Sequence, residues 1–91
     1  MSVSFNSNET TMTVKANGFT LCYKLTKDTG TSPVSYSFFV SIENETENYY
    51  DEALIRNVTS SDATAYNILK QISEGTVTPM TLAEVIEDIL S

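Results

Sequence analysis

Apolar and polar residues alternate one by one in three runs between residues 11 and 43; from residue 62 onward they recur at helical spacing. Met12, Val14 and Ala16 alternate with Thr11, Thr13 and Lys15. Phe19, Leu21, Tyr23 and Leu25 alternate with Thr20, Cys22, Lys24 and Thr26. Between the two runs lies Asn17-Gly18, the preferred pair for a two-residue type I′ turn, whose central positions both need positive φ. A hairpin closed there pairs Ala16 with Phe19, Val14 with Leu21 and Met12 with Tyr23, and puts every apolar member on one face.

A turn-rich connector, Asp28 to Pro33, leads to a third alternating run. Val34, Tyr36, Phe38, Val40 and Ile42 face one way; Ser35, Ser37, Phe39, Ser41 and Glu43 face the other. Pairing Leu25 with Val34 adds this strand to the apolar face of the hairpin. Residues 44–48 read as a polar turn and 49–58 as a fourth strand, in which adjacent Leu54 and Ile55 blur the alternation.

Ser60-Ser61-Asp62 then opens a helix: either serine can cap it, and Asp62 suits the positive end of the helix dipole. Ala65, Ile68, Leu69 and Ile72 form its apolar stripe, and Gly75 stands where a left-handed cap is expected. A second helix starts at Thr78-Pro79 or, through a capping box, at Thr81-Leu82-Ala83-Glu84, with Leu82, Val85, Ile86, Ile89 and Leu90 as its apolar face. One greasy sheet face and two amphipathic helices satisfy each other by stacking. The expected fold is therefore α+β: an antiparallel meander of three to four strands covered on one face by a C-terminal pair of helices. Residues 1–9 lack periodicity and read as a flexible N-terminal arm, and residues 10–91 as a single domain.

Composition narrows the chemistry. The chain holds 12 acidic and 5 basic residues, a net charge of −7, with no His, no Trp and one Cys. Without His there is no Ser–His–Asp or Cys–His arrangement, and a lone Cys cannot build a zinc site or an internal disulfide. Cys22 has no activating base and reads as a small residue on the polar sheet face. The glycines (Gly18, Gly30 and Gly75) fall at turns or caps, so no phosphate loop is present. The chain offers no apolar stretch long enough to span a membrane and no leader-like N-terminus, so a cytoplasmic protein is expected. Its charge repels phosphate backbones, and direct nucleic-acid binding is not expected. Three Asn-X-Thr triplets occur, at Asn8, Asn44 and Asn57; a Ser/Thr-rich chain produces them by chance.

Glu43, Glu45, Glu47, Asp51 and Glu52 form an acidic stretch without the glycine spacing of a calcium loop. It reads as a solvated turn or as a docking edge for a basic partner, with Tyr49 and Tyr50 as anchors. Glu84, Glu87 and Asp88 read as a solvated helix face. Phe39 breaks the polar side of its strand. If Ile55 joins it from the fourth strand, the pair makes a dimer contact.

The second half resembles a family of short, uncharacterised bacterial proteins of the domain-of-unknown-function type. The resemblance lies in Asn57-Val58-Thr59-Ser60, in Gln71-Ile72-Ser73-Glu74-Gly75, and in Val77-Thr78-Pro79 leading to Leu82 through Leu90. It implies the same order of strands and helices and no particular chemistry.

The expectation from sequence is a non-catalytic, acidic, cytoplasmic binding or regulatory module. It works by protein–protein contact, with a protein partner or a second copy of itself, and has no catalytic, cofactor or metal residues. The candidate interface residues are Phe39, Ile55, Tyr49 and Tyr50. The alternative is an acidic mimic of nucleic acid that blocks a basic protein; a carboxylate enzyme needs a buried acid beside a pocket.

Overall fold

The computed structural model describes residues 8–30 and 32–91. Four strands, β1 (Glu9–Ala16), β2 (Phe19–Asp28), β3 (Ser35–Asn44) and β4 (Tyr49–Thr59), precede two helices, α1 (Asp62–Glu74) and α2 (Leu82–Leu90). The strands form one antiparallel sheet in the order β1-β2-β3-β4, the expected meander. Of the predicted N-terminal arm, residues 1–7 lie outside the described residues. Glu9 already pairs with Thr26 in the sheet.

The first hairpin closes as its turn chemistry dictates. Asn17 (φ 51°) and Gly18 (φ 84°) both take positive φ. Ala16 pairs with Phe19, Val14 with Leu21 and Met12 with Tyr23. The second hairpin departs from the expected register. Leu25 opposes Phe38 rather than Val34, because β2 runs on to Asp28, which pairs with Ser35, and the connector is 29–34. The slip is an even number of residues, so each β3 side chain keeps its expected face.

The third hairpin closes over a four-residue turn, 45–48, ending on Asn48 in the left-handed region (φ 53°). Asn44 ends β3 as a buried polar residue, and its Oδ1 accepts the Glu47 N–H at 3.2 Å. Later in β4 the pairing shifts between Tyr36 and Phe38. There Asn57 takes φ 55°, its N–H donates to Ser37 Oγ (3.2 Å), and Ser35 Oγ donates to its Oδ1 (2.8 Å).

Ser61 caps α1, its Oγ accepting the Thr64 N–H at 3.2 Å. The other end corrects an expectation: Gly75 has φ −85°, and the left-handed residue is Thr76 (φ 47°). The Val77 N–H donates to Ile72 C=O (3.0 Å) and the Thr76 N–H to Ser73 C=O (3.3 Å), a Schellman motif with a threonine in the usual glycine position. Gly75 serves differently, since a Cβ there would lie 3.1 Å from the Gln71 carbonyl oxygen. The second helix begins at Leu82, the later of the two expected starts. Thr81 is its N-cap without a capping hydrogen bond from its side chain, and Pro79 lies buried in the turn before it.

The core joins one sheet face to the helices: Leu21, Tyr23 and Leu25 of β2, Tyr36, Phe38, Val40 and Ile42 of β3, Ala65, Ile68, Leu69 and Ile72 of α1, and Leu82 and Ile86 of α2. α1 lies across β2, β3 and β4, and α2 packs beside α1. Two core tyrosines pin the ends of α1. Tyr36 OH donates to Asp62 Oδ1 (2.6 Å), and Tyr23 OH donates to Val77 C=O just past the helix (2.9 Å).

Candidate functional site

The sheet is longer than the helices that cover it. α1 starts above Tyr36 and ends beyond Tyr23, before it reaches the last inner row at the Asn17-Gly18 end of the sheet. That row runs Ala16, Phe19, Asn44, Tyr49, and only the connector between the helices approaches it. A cleft of about 510 Å³ remains there. Leu21 and Ile42 form its floor, the Phe19–Tyr49 ring pair one wall, and Pro79 and Met80 another. The two rings meet edge to face with centroids 6.4 Å apart, a favoured aromatic geometry. Met80 is 83% exposed, and Glu47 and Asp51 give the cleft an acidic rim.

The opposite face of the sheet carries no helix. Along β3 and β4 it presents Phe39 beside Leu54, which is 48% exposed. Around them stand Lys24, whose Nζ sits 5.8 Å from the Phe39 ring centroid, and Tyr50, whose OH donates to Glu52 Oε1 at 2.8 Å. That hydrogen bond to a carboxylate raises the Tyr50 pKa above its ordinary value. Lys24 also reaches Glu9 at 4.0 Å, a loose surface ion pair. Cys22 is half-buried between Thr13 and Ser41, with a free thiol.

The four candidate interface residues divide between the two faces. Phe39 and Tyr50 point outward, whereas Tyr49 lines the cleft and Ile55 sits opposite Phe38, half-buried against the core. Ile55 therefore does not join Phe39; Leu54 does. The cause is the turn. A four-residue turn pairs Asn44 with Tyr49, and a five-residue turn would have reversed every side chain of β4. Leu54, Met80 and Phe19 are the surface residues that sequence reasoning did not single out for a site. For Leu54 the nearest to a signal is Asn48, whose tolerance of positive φ suits the end of a four-residue turn, whereas Met80 gave none.

Charge is divided unevenly. The outer sheet positions carry Lys15, Lys24 and Arg56 against Glu9, Asp28, Glu43 and Glu52, so that face is close to neutral. The remainder of the chain holds two basic and eight acidic side chains. Among the described residues, no three Cys, Asp or Glu side chains come together as a metal site, and no helix is long and apolar enough to cross a membrane.

One protein-family model matches residues 1–91, the whole chain. The chain belongs to DUF6514, a family of unknown function. The membership extends over both the sheet and the helix pair, where the sequence resemblance lay in the second half alone. No curated protein and no solved structure matches the chain.

Proposed function

We propose that this protein is a non-catalytic binding module of the cytoplasm that holds a basic segment of a partner protein in the cleft below the Asn17-Gly18 turn. The carrying observation is the cleft itself: an apolar floor of Leu21 and Ile42 between an aromatic pair and Met80, left open by the helices. Its size is within the range of sites that take a few side chains. Glu47 and Asp51 at the rim, on a chain of net charge −7, favour a segment that brings Lys or Arg beside an apolar anchor. Tyr and Met are residues that interfaces favour, and the exposed Met80 can adapt to more than one anchor. A single thiol and no need of a disulfide suit a reducing compartment.

The test is selection from a random peptide display library. The expected winners carry an apolar residue flanked by Lys or Arg, and both Met80→Asp and Tyr49→Ala lose them. Because the chain has no Trp, a Trp-tagged winner reports its own binding by fluorescence. Winners retained by both variants, or none above background, would reject this reading.

A second reading, an acidic decoy for a nucleic-acid-binding protein, draws on the excess of eight acidic over two basic side chains away from the outer sheet face. It predicts inhibition of a basic protein that weakens steadily with added salt and is indifferent to Met80→Asp.

A further inference from the structure

Among the described residues, the outer sheet face of this acidic protein is close to neutral, and Phe39 and Leu54 lie side by side on it among Thr and Ser side chains. We propose that two copies of the chain pack there, sheet against sheet, about a two-fold axis parallel to the strands. This proposal is independent of the cleft, which opens on the opposite face.

Three observations converge on a second copy as the occupant. First, self-association of a chain with net charge −7 is opposed wherever acidic surfaces meet. The outer face, with three basic and four acidic side chains, is where that opposition nearly vanishes. Second, the face is self-complementary. Its rows across the sheet read Thr11, Lys24, Phe39, Leu54 and, next to it, Glu9, Thr26, Ser37, with Arg56 at the β4 end. The proposed axis lays β1 of one copy over β4 of the other. Each Glu9 then meets an Arg56, each Lys24 ammonium meets a Phe39 ring, and each Leu54 covers the methyl of a Thr11. No like charges superpose. Lys24 already lies over Phe39 within one chain, so the contact repeats one the chain uses. Third, the size is sufficient. Four strands about 4.8 Å apart and about eight residues long make a face of roughly 500 Å² per copy. About 1,000 Å² buried in total is at the lower limit for a specific interface and fits a reversible dimer. Aligned packing of two sheets is the ordinary geometry of a β-sandwich.

The experiment is sedimentation velocity on the full chain from about 10 μM to about 1 mM, the range where an interface of this size dissociates. A reversible monomer–dimer equilibrium is expected. Leu54→Asp should weaken it at least tenfold, by about 1.4 kcal/mol or more. Glu9→Arg and Arg56→Glu should each weaken it, and the two together should restore it, an arm that holds even if Leu54→Asp disturbs the fold. Met80→Asp, on the other side of the molecule, should leave it unchanged. A monomer throughout, a dimer indifferent to the Leu54 and charge variants, or a dimer lost on Met80→Asp would each overturn the proposal.

Discussion

The hydroxyl of Tyr23 donates a 2.9 Å hydrogen bond to the backbone carbonyl of Val77, a residue 54 positions further along the chain. Val77 lies immediately after the left-handed turn that ends α1, where backbone groups have left the helical ladder and need other partners. Tyr23 stands in the middle of the sheet and is fully buried, so one side chain fastens the helical layer to the strands. Tyr23→Phe keeps the ring and strands the carbonyl. We expect a loss of about 1–2 kcal/mol, read from the urea midpoint. An unchanged midpoint would mean that water replaces the hydroxyl.

The two helix-pinning tyrosines also make stability fall at high pH. Burial pushes Tyr23 from 10.0 up to about 12, and the hydrogen bond to Asp62, with its negative charge, does the same to Tyr36. The unfolded chain releases these protons near pH 10, whereas the folded chain retains them to about 12. The sign follows: the stabilisation is fully present below the unfolded value and disappears as pH rises through the folded one. Urea midpoints should therefore hold up to about pH 10 and drop between about 10 and about 12, less steeply in Tyr36→Phe. Midpoints that stay level over that window would contradict the assignment.

Thr76 occupies the left-handed position that closes α1, and a β-branched side chain is poorly suited to it. Its Oγ1 donates to the Gly75 carbonyl at 2.7 Å, which offsets only part of the strain. Thr76→Gly should raise stability by about 0.5–1 kcal/mol in thermal melts monitored by circular dichroism. A lower melting temperature would show that the hydroxyl matters more than the φ angle.

Leu54 and Ile55 are neighbours in sequence and opposites in environment. Ile55→Asp puts a carboxylate against Phe38 and should cost about 2–4 kcal/mol. Leu54→Asp should change monomer stability by no more than about 0.5 kcal/mol. Paired urea titrations at low protein concentration decide between the two faces, and equal losses would contradict the half-burial of Ile55 beside an exposed Leu54.

That pair also marks how far the sequence could be read. The Asn17-Gly18 turn has one preferred geometry, so the first hairpin was legible down to its residue pairs. The pairing of β2 with β3 lies four residues from the expected one, yet four is even and the Tyr36, Phe38, Val40 face survives it. At β4 a difference of one residue in the turn exchanges Leu54 with Ile55, and Tyr50 with Tyr49, between the two faces. Nothing local marks whether a polar turn holds four residues or five; Asn48, with its tolerance of positive φ, is the nearest to a sign. The cleft was beyond reach for a different reason. It exists because α1 stops short of the end of the sheet, a relation between two lengths that no single segment encodes.

The meander itself has a consequence for how the protein is born. Each strand needs only its predecessor, so the ribbon can zip up hairpin by hairpin, with small loop-closure penalties, as the chain leaves the ribosome. The segment that must roof it comes last. Until Ala65, Ile68, Leu69 and Ile72 emerge, the nascent ribbon bares Leu21, Tyr23, Phe38 and Val40 to the cell, and chaperones have their opportunity during that interval.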